Sequence, residues 1–105
     1  MRNFKITEYK GMRKKIYYDA QNRIHRDGDL PAIITKMDKS TAVSYWKNGE
    51  LHRDNGPAII VRSNGRVCIQ EFFQNGVHGR TEHYNKDGKM TRTFFSDKAQ
   101  NNQLT

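Results

Sequence analysis

The chain has 105 residues, 34% of them hydrophobic and 29% charged, with a formal net charge of +8. That length sets one small domain, and an apolar share below the roughly 45–50% of ordinary globular domains excludes a thick two-layer core. No apolar run approaches the ~18 residues of a membrane-spanning helix, and Cys68, the sole cysteine, excludes an intramolecular disulfide.

Residues 1–9 hold no apolar block of the kind that marks a signal peptide. A chain without disulfides suits a reducing compartment, so the expected location is cytoplasmic. Charge concentrates at the start, where Arg2, Lys5, Lys10, Arg13, Lys14 and Lys15 stand against Glu8 alone, giving residues 1–15 +5 of the total +8. Residues 1–14 therefore read as a basic N-terminal strand or arm. Its field suits an acidic protein face, nucleic acid or anionic lipid.

Phe4-Lys5-Ile6-Thr7 alternates apolar and polar residues, the pattern of a strand, and Gly11 ends it. Lys15-Ile16-Tyr17-Tyr18 then brings the first of four aromatic pairs, followed by Tyr45-Trp46, Phe72-Phe73 and Phe94-Phe95. Between the pairs, Asn48-Gly49, Asn64-Gly65, Asn75-Gly76 and Asp87-Gly88 are expected to form type I′ hairpin turns, because those residues accept positive φ. Asn22 takes the turn position of the first unit without a glycine. Segments 41–46, 57–62, 66–73, 80–84 and 89–95 are short and rich in β-branched or aromatic residues, so each reads as a strand. No stretch carries a sustained helical stripe, and the only place suited to a turn of helix is 37–40.

A motif repeats in the same register. Ile24-His25-Arg26-Asp27-Gly28-Asp29-Leu30-Pro31-Ala32-Ile33-Ile34 returns, one residue shorter, as Leu51-His52-Arg53-Asp54-Asn55-Gly56-Pro57-Ala58-Ile59-Ile60, and a weaker copy starts at Val77-His78-Gly79-Arg80. The histidines lie 27 and 26 positions apart, which predicts stacked hairpin units over residues 15–95. Residues 96–105 are polar and non-aromatic and read as a frayed tail.

The stretch from Phe73-Gln74-Asn75-Gly76 through Tyr84-Asn85-Lys86-Asp87-Gly88-Lys89 resembles MORN-type repeats, especially the bacterial antitoxin-like variant. The unit Trp46-x-Asn48-Gly49-x-Leu51-His52-Arg53-x-x-Gly56-Pro57-Ala58 is similar to a form found in phage and giant-virus proteins. The resemblance covers residues 15–95. It implies an all-β fold in which tandem MORN-like β-hairpins form one extended, twisted antiparallel sheet. It also implies an interaction surface, with an inhibitor, antitoxin-like or anti-defence role of phage or bacterial origin.

Several chemical readings can be weighed directly. The protein-kinase loop needs an Asn five positions after the Asp of His-Arg-Asp, where this chain has Ala32 and Ile59. A zinc site from His25, His52, His78 and His83 is disfavoured because ligands must converge within about 2.1 Å of one ion, whereas stacked units separate them. His25 and His52 are expected to pack in the turns with Gly56 and Pro57, while Asp27 and Asp54 accept backbone N–H groups. Arg26 and Arg53 either pair with those aspartates or face a phosphate or carboxylate. Cys68 has no histidine nearby in sequence to activate it. The reading is a non-enzyme with no cofactor and no metal, binding an acidic protein through Arg13, Lys14, Lys15, Arg26, Tyr45, Trp46 and Arg53. The alternative is RNA or DNA, bound by the basic arm and exposed aromatics.

Overall fold

A computed structural model describes residues 3–96; most of the polar segment expected to fray, 97–105, lies outside the described residues. The described chain is all-β. Eight strands form one sheet in the order β1 (Phe4–Tyr9), β2 (Met12–Tyr17), β3 (Ile33–Lys36), β4 (Ser40–Ser44), β7 (Ile59–Ser63), β8 (Arg66–Gln74), β9 (Val77–Tyr84), β10 (Met90–Phe95). Each of these neighbours pairs antiparallel. A small hairpin of β5 (Trp46–Lys47) and β6 (Glu50–Leu51) stands outside that sheet, between β4 and β7 in sequence. Strand 41–46 of the sequence reading is thus broken at Tyr45, although its N–H still donates to the Ala58 carbonyl at 2.7 Å and carries the β4–β7 pairing one residue further.

The strand order follows from the turns. Asn48, Gly49, Asn64, Gly65, Asn75 and Gly76 all have positive φ, as a type I′ turn requires, and Lys10-Gly11 makes the same choice between β1 and β2. Asp87-Gly88 differs from expectation, because among its two residues only Gly88 has positive φ. There Asn85 closes a wider loop, its Oδ1 accepting the N–H groups of Asp87 and Lys89 at 2.9 and 3.1 Å. Residues 37–40 form no helix. They turn β3 into β4, with the Met37 N–H donating to the Ser40 carbonyl at 2.9 Å.

Strand alternation sorts the side chains onto two faces. One row crosses the sheet through Ile6, Lys15, Ile34, Val43, Ile60, Gln70, Glu82 and Thr93, each directly opposite the next. Ile60, at the middle of that row, is 7% exposed, and Ala32 and Ala58, just before β3 and β7, are fully buried. These are the only buried hydrophobic residues among those described. The core is a seam along the centre of a single layer, as the low apolar content requires.

Gly56 has φ +148°, and a Cβ there would lie 3.2 Å from Nη1 and 3.4 Å from Cζ of Arg53. Gly88 has φ +80° with nothing within 4 Å of a Cβ. Gly56→Val is therefore expected to destabilise by about 1–3 kcal/mol, since it strains the backbone and displaces a guanidinium. Gly88→Asn should change stability by under about 1 kcal/mol, because Asn tolerates this φ. Urea midpoints compare the two, and equal shifts would overturn the role given to Gly56.

Candidate functional site

The first members of three aromatic pairs, Tyr17, Tyr45 and Phe72, each carry an arginine on the ring. Arg26 Cζ lies 3.9 Å from the Tyr17 centroid, Arg53 Cζ 3.8 Å from Tyr45, and Arg80 Cζ 3.7 Å from Phe72. A guanidinium flat on an aromatic face joins cation–π attraction to burial of both surfaces, each contact being worth about 0.5–2 kcal/mol. Arg26 Nη1 also donates to the Pro31 carbonyl at 3.2 Å, and Arg53 Nη1 to the Pro57 carbonyl at 3.1 Å. The proline thus presents an acceptor to the arginine four or five residues before it. The two copies of the motif are built alike.

The third position keeps the stack by another route. Gly79 is an extra residue on β9, so that Phe72 faces Arg80 while Phe73 faces His78. The bulge absorbs the residue that separates His78 from Arg80 and returns Arg80 to its ring. Its Nε then donates to Glu82 Oε2 at 3.0 Å, while the Tyr84 hydroxyl donates to Glu82 Oε1 at 2.8 Å. Partial desolvation works against the Glu82 carboxylate, but Tyr84 and Arg80 outweigh it and hold its pKa below the ordinary value.

His25 and His52 join each motif to the turn that follows it. Nδ1 of His25 accepts the Asn48 N–H at 3.0 Å, and Nδ1 of His52 accepts the Asn75 N–H at 2.9 Å. The adjoining Gly49 and Gly76 N–H groups donate to the Ile24 and Leu51 carbonyls, both at 2.8 Å. With Nδ1 accepting, the proton sits on Nε2, which donates to Asp27 Oδ1 at 2.8 Å in one copy and to Asp54 Oδ1 at 2.7 Å in the other. The expected partners are therefore exchanged: histidine accepts the backbone N–H, and aspartate orients the histidine. Both ring nitrogens are engaged, and among the described residues no group of three His, Cys, Asp or Glu side chains could hold a metal ion.

Neither arginine pairs with the aspartate next to it in sequence. Arg53 instead takes Asp29, 24 residues upstream, through Nε to Oδ1 at 2.9 Å and Nη2 to Oδ2 at 3.3 Å. Asp29 has φ +53° and belongs to the Gly28-Asp29-Leu30 stretch, one residue longer than the Asn55-Gly56 that stands there in the second copy. The Arg53 hydrogen bond, opposed by slight desolvation and helped by its charge, holds the Asp29 carboxyl below the ordinary range. The same bond raises the Arg53 pKa. Tyr17, expected only as a member of the first aromatic pair, and Asp29 are not among the candidate binding residues of the sequence, although the one-residue length difference between the copies marks the Asp29 loop.

The basic residues of β2 divide between the faces. Arg13 and Lys15 lie on the Tyr17 face and line a shallow cleft with Tyr17, Ile34 and Lys36. Lys14, opposite Thr7 and Thr35, belongs to the other face. Trp46 also turns aside, donating from Nε1 to Ser44 Oγ at 2.8 Å. The structure thus brings Arg13 and Lys15 together with Tyr17 and separates both Lys14 and Trp46 from them. A second open cleft, of about 730 Å³, adjoins the first and includes Phe4, Lys15, Tyr17, Tyr18, His25 and Arg26 in its lining. Arg26, Tyr45, Trp46 and Arg53 together line a third, between the two motif loops.

No family model, curated protein or solved structure matches this chain.

Two measurements probe these contacts. In His52→Ala the Asn75 amide should exchange with solvent faster while Asn48 is unchanged, and His25→Ala should give the reverse. Each loss should cost about 0.5–1.5 kcal/mol, and a uniform rise in exchange would overturn the local role. Asp29 ionises more readily folded than unfolded, so its link to Arg53 contributes stability above the unfolded carboxyl pKa and loses it as pH falls through the folded value. Asp29→Asn should therefore flatten the acid-side fall in Tm, and an unaltered acid limb would contradict the assignment.

Proposed function

We propose that the chain is a non-enzymatic protein-interaction module, a tandem array of MORN-type hairpins that docks on an acidic surface of a partner protein. The observation that carries this reading is the grouping of Arg13, Lys15 and Lys36 around Tyr17 on one face of the sheet. The carboxylate near Arg13 is Glu8, at 3.9 Å, with both side chains largely exposed, a pairing too loose to neutralise the patch. Long cations over an aromatic floor suit a carboxylate-rich protein surface, where charge speeds encounter and the ring supplies an anchor. An inhibitor-like or antitoxin-like role would follow from occupying such a surface on a target. Nucleic acid is the second reading, favoured by the same cations and by exposed Tyr9, Phe94 and Phe95.

The test compares Arg13→Ser/Lys15→Ser with Lys14→Ser, each checked for folding, in capture experiments from host lysate with and without nuclease. Protein partners that survive nuclease, are lost by the double variant and are kept by Lys14→Ser are expected. Capture that disappears with nuclease, together with oligonucleotide binding whose log–log salt slope changes by roughly 0.7–0.9 per phosphate contact removed, would replace this reading with the second.

A further inference from the structure

Arg26 and Arg53 have matching surroundings on three sides. Each guanidinium lies on a tyrosine, at 3.9 and 3.8 Å from the ring centroid. Each donates from Nη1 to a proline carbonyl, at 3.2 and 3.1 Å. Each backbone N–H points at the carbonyl of the next aromatic pair's second member, Trp46 or Phe73, at 3.4 Å. These contacts leave the same edge of the guanidinium, Nε with Nη2, to meet what lies in front of it.

At Arg53 that edge holds the Asp29 carboxylate by two bonds, the fork geometry in which arginine binds a carboxylate best. Asp29 comes from the loop of the preceding motif. Arg26 stands in the first motif, with the β1–β2 hairpin before it instead of another such loop. Among the described residues no carboxylate pairs with Arg26. In front of it opens the cleft of about 730 Å³, which Lys15 also lines. Lys15 Nζ is held there over two rings, 4.3 Å from the Phe4 centroid and 4.9 Å from that of Tyr17. The two carboxylates on the rim are already engaged, Asp19 by Arg23 and Asp27 by His25. Their negative charge favours a single carboxylate over a doubly charged phosphate.

We propose that Arg26, stacked on Tyr17 in a cleft that Lys15 also lines, is a carboxylate-binding site that takes an Asp or Glu side chain from a loop of the protein partner, as Arg53 takes Asp29. The inference rests on the acidic-partner reading and names the point on the surface where that partner is gripped. Tyr17 and the Pro31 carbonyl hold the guanidinium in place, so little side-chain entropy is lost when the ligand arrives.

The test follows the arginine Nε–H signals by NMR while the full chain is titrated with a short Asp-rich peptide, with inorganic phosphate and an oligothymidine as parallel probes. Saturable movement of the Arg26 signal by the peptide is expected, with Arg53 unmoved because Asp29 already occupies it. Arg26→Lys keeps the charge and removes the fork, and should weaken the peptide about tenfold. The wild-type signals report the site even where that variant folds poorly. Peptide binding that leaves the Arg26 signal in place would overturn this site and spare the acidic-partner reading. Movement by phosphate or oligothymidine with none by peptide would overturn both, as would the absence of any response to the peptide.

Discussion

A planar cation lying on an aromatic ring is the contact on which the rest of this sheet depends. With three hydrophobic residues buried among those described, apolar burial cannot by itself hold the motif loops against the strands. Arg26, Arg53 and Arg80 supply part of what a second layer would supply elsewhere. Each covers a ring with its flat face. Arg26 and Arg53 also satisfy a loop carbonyl that would otherwise lack a partner. Arginine suits this position better than lysine, because only a planar, weakly hydrated cation can stack and donate at once.

The histidines complement the stacks by tying each motif to the next hairpin turn. An Asn-Gly turn leaves N–H groups at its tip with no partner in the ladder. Here the preceding His Nδ1 and a main-chain carbonyl accept them. The link runs from each of these two copies of the motif to the Asn-Gly turn after it, while what precedes the two arginines differs. Arg26 meets the basic β1–β2 hairpin, whereas Arg53 meets an acidic loop. The surface we propose for partner binding lies at this change of neighbour, where the guanidinium edge that Asp29 satisfies at Arg53 has no carboxylate partner among the described residues at Arg26.

One extra residue in the first motif loop and one on β9 show how a small local change preserves the pattern. The first loop, Gly28-Asp29-Leu30, is one residue longer than its counterpart and delivers the Asp29 carboxylate to Arg53. Gly79 lengthens β9 and restores Arg80 to Phe72 through a bulge. The arginines consequently keep a spacing of 27 residues throughout, while the histidine spacing falls from 27 to 26. The arginine period follows the contact that carries the energy. The third histidine has drifted to Thr81 and to the edge of Phe73.

What the sequence by itself determined was local: strands where β-branched and aromatic residues cluster, turns at Asn48-Gly49, Asn64-Gly65 and Asn75-Gly76, and a thin core. Those features depend on φ preference, side-chain alternation and composition, which neighbouring residues largely settle. The closing of 85–89 was missed because Asn85, not the Asp87-Gly88 pair, organises it, and 37–40 turned without helix because β3 and β4 pair around it. Tertiary structure decided the long-range partner of Arg53. Arg53 reaches Asp29 across 24 residues because the folded loops bring that carboxylate to its donors, whereas Asp27 and Asp54 bond the histidines two residues before them. Alternation along β2 separated Lys14 from Arg13, Lys15 and Tyr17, but only the order of strands in the sheet placed Lys36 beside them. Ion pairs act through space over a few ångströms, so their choice waits on a register that no short stretch of sequence contains.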